Sequence, residues 1–161
     1  MEKFINVINK ILSIMCVILC SVLVCCVIWQ VLSRYLLNTP STYTDEMARF
    51  LFIWVGLIGA AYALGQKKHL AIDLLTTKLE SSPAKQCQLN LFINMVGILF
   101  SLSIMCYGGI RLVQDTIAHG QISPVIGIEM GLVYLAIPIS GIFMLIYLIR
   151  DVIDNIKQLS H

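Results

Sequence analysis

The segment YTDEMARF, residues 43–50, places three ionisable side chains within five positions at the start of a long apolar run. Asp45 and Glu46 precede Arg49 by four and three residues, the spacing of ion pairs on one face of a helix. Two carboxylates and a guanidinium in this position could form a reaction centre, bind an ion, or hold the segment to a neighbour. The elements around them distinguish among these three kinds of site.

The composition indicates a membrane protein. Of the 161 residues, 58% are hydrophobic and 12% are charged, whereas soluble domains carry about 25% charged residues. So few charges cannot cover a water-soluble globule. The net charge of +2 comes from dispersed basic residues and gives no indication of nucleic acid as a partner.

The six cysteines do not form a metal or disulfide pattern. Four of them fall in residues 16–26 within one apolar run, and no CxxC or zinc-type Cys/His spacing is present. We therefore interpret them as small apolar side chains of membrane helices.

Four apolar segments each reach the roughly 20 residues that cross a bilayer as a helix. They lie at about 11–33, 46–65, 89–113 and 129–149. The first is too long for the apolar core of a signal peptide, about 7–15 residues, so we expect it to be retained. The sequence predicts an all-α integral membrane fold, a single four-helix domain over residues 1–161.

Lysine and arginine placement predicts the orientation. Eight of the eleven basic residues lie on the side that holds both termini, and Arg34, Arg49 and Arg111 lie on the other. Because segments rich in lysine and arginine stay in the cytoplasm, both termini are expected there, with YTDEMARF on the outer face.

The connection between spans 2 and 3 has helical periodicity. Its leucines fall close to the spacing of one helical face across residues 70–82. The segment is too polar and too short to cross a membrane, which favours an amphipathic helix in the cytoplasmic interface. An ordinary solvated helix is the alternative.

The predicted spans lack ionisable side chains in their middle, where catalysis or ion conduction would need them. No Asp, Glu, Lys, Arg or His falls in the middle of a predicted span, although proton relays and ion pathways need such groups. Nucleotide-binding, serine hydrolase and zinc protease motifs are also missing. The three histidines lie in connections or at the C-terminus, which disfavours a haem held between spans.

Two features predict helix packing. The second span carries a surface of small side chains suited to a close helix neighbour, comprising Gly56, Gly59, Ala60 and Ala63. In the fourth span, Pro138 lacks an amide and frees the Tyr134 carbonyl, which predicts a kink.

The stretch RYLLNTPSTYTDEMARFLFIWVGLIGAAYALGQKKHLAIDLL, residues 34–75, resembles the small, four-helix (DctQ-like) membrane subunit of tripartite ATP-independent periplasmic (TRAP) transporters. The resemblance rests on an ordered set of positions: Arg34, Tyr35, Asp45, Glu46, Arg49, Trp54, Gly59, Ala60, Ala61, Lys67, Lys68, His69 and Asp73. The segment SPVIGIEMGLVYLAIPIS, residues 123–140, extends it. Glu129 and Gly131 depart from the pattern, where proline and an aromatic residue are expected.

The resemblance implies a non-enzymatic scaffold subunit in the bacterial inner membrane. Such a subunit braces a large multi-span subunit for sodium-driven uptake of an organic acid: a C4-dicarboxylate, a sialic acid or another sugar acid. A periplasmic binding protein delivers the solute and contacts the complex transiently. Sodium and substrate would bind the large subunit, so no cofactor or metal is expected on this chain, whose other partners are membrane lipids.

The resemblance also implies roles for the matching residues. Six are candidates for assembly or partner docking: Arg34, Tyr35, Asp45, Glu46, Arg49 and Trp54. Four are expected at the cytoplasmic surface: Lys67, Lys68, His69 and Asp73. Two other functions stay open at this point, a membrane anchor or electron-transfer subunit and a small self-assembling carrier.

For the outer charges the sequence suggests local pairing. Thr42 and Asp45 have the spacing of a capping box, and Arg34 could reach the same cluster across a short loop. On this hypothesis, Arg34→Glu or Arg49→Glu should rescue a Glu46→Arg variant. Solvated interfacial charges and docking to a partner are the alternatives.

Overall fold

The structure, a computed structural model, describes residues 2–66 and 83–159. Its α-helices are α1 (Glu2–Tyr35), α2 (Thr42–Gly65), α3 (Pro83–Phe100), α4 (Gly109–Ala118), α5 (Met130–Tyr134) and α6 (Ala136–Leu159). A π-helix, Ser101–Gly108, joins α3 to α4 without a break. The predicted interfacial helix at 70–82 lies outside the described residues.

Four helical stretches are long and apolar enough to cross a membrane: Ile5–Tyr35, Thr42–Gly65, Leu89–Ala118 and Met130–Lys157. The predicted all-α fold with four such helices is confirmed. The helices extend beyond most of the predicted bounds. The 34 residues of α1 span about 51 Å, against a hydrocarbon core of about 30 Å. Hydropathy marks the part that fits the hydrocarbon, whereas helical hydrogen bonding continues into polar residues at either end.

The helices lie in an open row. Helix α2 packs along α1 on one side and along α6 on the other, and α6 packs against α3 and the π-helix. The spatial order is therefore α1, α2, α6, α3. Since α1 lies at one end of this row, much of its apolar surface is exposed, including Val17, Ile18 and Val24.

An apolar cluster packs three helices together in the half of the row that holds both termini. We call it the Tyr147 core; it consists of Ile5, Ile8, Leu12, Ile58 and Tyr147. The Tyr147 side chain is 1% exposed, and its hydroxyl donates a hydrogen bond of 2.5 Å to Asn9 Oδ1. Its ring occupies the space beside Gly65, where an added Cβ would overlap the ring carbons. One side chain thus joins α1, α2 and α6.

The helical hydrogen bonding of the fourth span is interrupted between α5 and α6, although the backbone there stays helical. Leu135 has φ −56° and ψ −22°, its amide donates to the Gly131 carbonyl at 3.1 Å, and its carbonyl accepts from the Ile139 amide at 3.2 Å. The missing bond is the one to the Tyr134 carbonyl, which Pro138 cannot donate because it has no amide. Gly109 packs against this point, because a Cβ there would lie 2.9 Å from Ile137 Cγ2.

The π-helix meets the fourth span just beyond this interruption. The buried Ser101 hydroxyl donates to the Gly141 carbonyl at 3.1 Å. A Cβ at Gly141 would lie 2.8 Å from Met105 Cβ, so the two backbones approach closely. The irregular part of the third span and the interrupted part of the fourth are therefore in direct contact.

Gly131, one of the departures from the family pattern, has a packing reason. It is buried against α4, and a Cβ at this position would overlap Ile117 Cγ1. A proline or aromatic side chain would not fit here, so α5 docks on α4 through a glycine.

Candidate functional site

The charged cluster of the second span lies in the first two turns of α2. The helix begins at Thr42, and its N-cap residue Ser41 makes no side-chain capping hydrogen bond. The Thr44 hydroxyl donates to the Ser41 carbonyl at 3.1 Å. The predicted capping box of Thr42 and Asp45 is therefore wrong, because the helix starts one residue earlier and the Asp45 carboxylate has other partners.

Asp45 joins α1 to α2. Its Oδ1 accepts a hydrogen bond of 2.6 Å from Gln30 Nε2, and its Oδ2 accepts one of 2.5 Å from Arg49 Nη2. Arg34 lies exposed in the last turn of α1. The side chains of Arg49 and Asp45 are 74% and 41% exposed. Water therefore screens the ion pair, which contributes little stability by itself.

A buried hydroxyl closes the link between these two helices. Ser33 is 2% exposed; its Oγ donates to the Gln30 carbonyl at 3.0 Å and accepts from the Ser41 amide at 3.3 Å. In the link itself, Asn38 adopts the left-handed conformation with φ 52°, which asparagine tolerates better than most residues. The N-terminus of α2 is thus held at a defined position beside α1.

Glu46 joins α2 to the opposite side of the row. Its Oε2 accepts hydrogen bonds from the backbone amides of Val125 at 3.1 Å and Ile126 at 2.9 Å. Successive amides that point the same way form a concavity suited to an anion, and bonds to an ionised acceptor are stronger than neutral ones. The carboxylate therefore connects α2 to the turn that precedes α5.

That turn is ordered by its own hydrogen bonds. The Ser123 amide donates to the Ile128 carbonyl at 2.9 Å, and the Gly127 amide donates to the Ser123 carbonyl at 3.1 Å. Gly127 has φ +77°, a conformation that glycine adopts without a steric penalty. Because these bonds fix the turn, the two amides face Glu46 in a preformed arrangement.

An open cleft of about 470 Å³ separates the start of α2 from this turn. Its walls combine the three charged side chains with apolar ones, namely Asp45, Glu46, Arg49, Phe50, Ile53 and Met130. Among the described residues, no group of three His, Cys, Asp or Glu side chains could hold a metal ion. The arrangement joins helices through carboxylates and presents one exposed guanidinium.

The other candidate assembly residues lie elsewhere. Tyr35 ends α1 with its side chain 76% exposed, and Trp54 packs, half-buried, against the Tyr147 core. Neither lines the cleft. The structure brings together Asp45, Glu46 and Arg49 and leaves Tyr35 and Trp54 apart from them.

The small-residue face of α2 is open at its glycines. A Cβ at Gly56 or Gly59 would meet nothing within 4 Å, and Ala60 and Ala63 are half-buried. Pro138 is buried at the interruption of the fourth span. The candidates Lys67, Lys68, His69 and Asp73 lie outside the described residues.

Some functional contacts have little signal in the sequence. Gln30 stands out as the one strongly polar residue of the first span, which marks it as a partner for another polar group. The amides of Val125 and Ile126 belong to apolar residues, so no side-chain type indicates their role. The hydrogen bond from Tyr147 to Asn9 likewise depends on which helix faces meet.

The sequence matches a family of transporter components. Residues 23–158 match the family described as tripartite ATP-independent periplasmic transporters, DctQ component. A Haemophilus influenzae protein assigned as a TRAP transporter small permease is 30% identical over 97% of this chain and 94% of that protein. The sialic acid TRAP transporter small permease protein SiaQ of Vibrio cholerae is 28% identical over 96% of this chain and 86% of SiaQ.

A third relative is much longer than this chain. The sialic acid TRAP transporter permease protein SiaT of Haemophilus influenzae is 28% identical over 128 residues, which make up 80% of this chain and 20% of SiaT. The family match covers most of the chain, and the two small permease relatives described above align nearly end to end with it. The chain therefore belongs to the DctQ component family of tripartite ATP-independent periplasmic transporters.

Proposed function

We propose that this chain is the small permease subunit of a TRAP transporter and braces a larger permease subunit during uptake of an organic acid. The observation that carries the proposal is the match to one fifth of SiaT. In that protein a sequence like this one shares a polypeptide with a much larger permease portion. A chain of the same family is therefore expected to work beside such a portion in the membrane.

The position of the charges supports a bracing role over a transporting one. In the four described spans, no acidic or basic residue lies more than eight residues from an end. The helices that the structure describes lie in an open row, which encloses no path for a solute. On our proposal, the solute and the driving sodium ions bind the larger subunit, and this chain needs no cofactor.

We assign the small-residue face of α2 to contact with the larger subunit. Gly56 and Gly59 have open space beside them within this chain, and glycines allow a neighbouring helix backbone to come close. The exposed apolar faces of α1 and α3 are left for lipid.

The lysine distribution supports an inner-membrane orientation with both termini in the cytoplasm. The cleft and the exposed guanidinium of Arg49 would then face the periplasm, where a solute-loaded binding protein arrives. Relatives named for sialic acid suggest a carboxylate-bearing solute; a C4-dicarboxylate, a sialic acid and another sugar acid fit this class equally well.

Co-purification tests the assignment. The tagged chain, co-expressed with its candidate larger permease, should carry that subunit through purification in mild detergent. Uptake of a radiolabelled organic acid into proteoliposomes should require this chain, the larger subunit and the binding protein together. Solute uptake by this chain alone, or a full rate without it, would overturn the proposal.

Paired variants test the docking face. Gly59→Leu should reduce the co-purified larger subunit several-fold, because the side chain fills space that we assign to the partner. Ser21→Leu adds the same side chain to an exposed position on α1 and serves as the control. Equal yields from the two variants would exclude the α2 face as the contact.

A further inference from the structure

Residues 109–135 form a compact corner that consists of α4, the connecting turn and α5. Gly131 of α5 is buried against Ile117 of α4. The connection is tied together by a hydrogen bond of 3.0 Å from the Met130 amide to the Gln121 carbonyl. These contacts hold the corner together as one unit.

Both chain connections from this corner to the rest of the protein are irregular helix. On one side lies the π-helix, Ser101–Gly108, whose hydrogen bonds are shifted from the α-helical pattern. On the other, the helix lacks the hydrogen bond from residue 138 to the Tyr134 carbonyl, because Pro138 has no amide. The two irregularities are at the same level of the row, because Gly109 packs against Pro138. Residues at the ends of regular elements are where hinge motions concentrate.

The contact of the corner with α2 is sparse. Two hydrogen bonds join them in the described part of the chain, both from the turn amides to the Glu46 carboxylate. Beside these bonds the open cleft separates α2 from the turn. If Glu46 withdrew, the Val125 amide would border this cleft, where water can replace the carboxylate, and the Ile126 amide would keep the Ser123 hydroxyl as an acceptor at 3.4 Å. Separation therefore need not leave a buried donor unpaired.

We propose that the corner of residues 109–135 is a hinged unit and that Glu46 is its latch. With the two amides bonded to Glu46, the corner is closed on α2. When these bonds break, the corner moves away from α2 about the π-helix and the missing hydrogen bond at Pro138, and the cleft widens. The Tyr147 core lies in the other half of the row and keeps its packing. The device depends on the fold of this chain alone and stands independently of the transported solute.

Distance measurements between spin labels in a cysteine-depleted full chain, in lipid nanodiscs, test the latch. Labels at Tyr43 on α2 and Ile122 in the corner occupy exposed positions. The Glu46→Ala variant should raise the population at longer distance about tenfold, since two hydrogen bonds to a charged group are lost. Glu46→Gln keeps an acceptor oxygen without the charge and should give an intermediate population.

Two further label pairs separate hinge motion from unfolding. A pair within the corner, Ile110 and Ile122, and a pair outside it, Val7 and Tyr43, should keep their distances in Glu46→Ala. The Asp45→Asn variant alters the link to α1 and should leave the Tyr43–Ile122 distance unchanged. An unchanged Tyr43–Ile122 distance in Glu46→Ala, or equal broadening of all three pairs, would overturn the proposal.

Discussion

The helices are held together by different interactions at their two ends, the end that carries the chain termini and the end that carries Asp45. At the end that holds the termini, the Tyr147 ring fills the space beside Gly65 within an apolar cluster. At the other end, Asp45 and Glu46 join helices through hydrogen bonds to Gln30, Arg49 and two backbone amides. The first end depends on shape and the second on the pairing of polar groups.

The difference follows from what each end contains. Non-helical connections at the Asp45 end leave backbone amides without helical partners, and such groups need acceptors. The Tyr147 core lies within continuous helices whose backbone is already bonded, so its side chains are free to pack. Packing in a tight core tolerates little change in volume, whereas polar bonds beside an open cleft can exchange with water. We therefore expect substitutions in the Tyr147 core to destabilise the whole chain and substitutions at the Asp45 end to act locally.

The largest effect is expected from Tyr147→Ala. Removing a fully buried aromatic side chain leaves a cavity among α1, α2 and α6, at a cost of about 3 kcal/mol. The unfolding midpoint in detergent should fall by many degrees. Tyr147→Phe keeps the ring and loses the bond to Asn9, so its midpoint should fall much less. Equal losses from the two variants would assign the stability to the hydrogen bond and not to the packed ring.

A smaller loss is expected from Gly65→Ala. The added methyl group overlaps the Tyr147 ring, and overpacking of this kind costs about 1–3 kcal/mol. Gly59→Ala is the matched control on the same helix, because its methyl group meets open space. At position 59, alanine should stabilise the helix by about 1 kcal/mol relative to glycine. Thermal unfolding of the purified chain should shift in opposite directions for the two variants.

The smallest and most local effects are expected from charge reversal at the Asp45 end. Asp45→Arg should be rescued by Arg49→Asp, because the exchange restores the ion pair and the Gln30 amide can present its oxygen to the new guanidinium. Glu46→Arg should not be rescued by Arg49→Glu or Arg34→Glu, since its partners are backbone amides. The yield of the complex with the larger subunit measures both the rescue of Asp45→Arg and the lack of rescue of Glu46→Arg. Recovery of Glu46→Arg would show that side-chain cations, not amides, hold Glu46.

This last expectation reverses part of the hypothesis drawn from the sequence. The spacing of Asp45, Glu46 and Arg49 allowed either carboxylate to pair with the arginine, and the structure pairs Asp45. The rotation of α2 directs Glu46 toward a turn 79 and 80 residues away in the chain. Spacing within one helix predicts neighbours on that helix, and it contains no information about a loop that folds over it.

The sequence by itself determined that this is an all-α membrane protein of four apolar helices with charges near their ends. It also carried the ordered pattern by which the family is recognised. These are properties of residue types along single helices, where hydropathy and spacing act directly. The tertiary structure decided the order of the helices in the row, the packing of the Tyr147 ring beside Gly65, and the hydrogen-bond partners of Glu46. Those contacts depend on which helix faces meet, and the backbone amides that bind Glu46 are the same in every residue except proline.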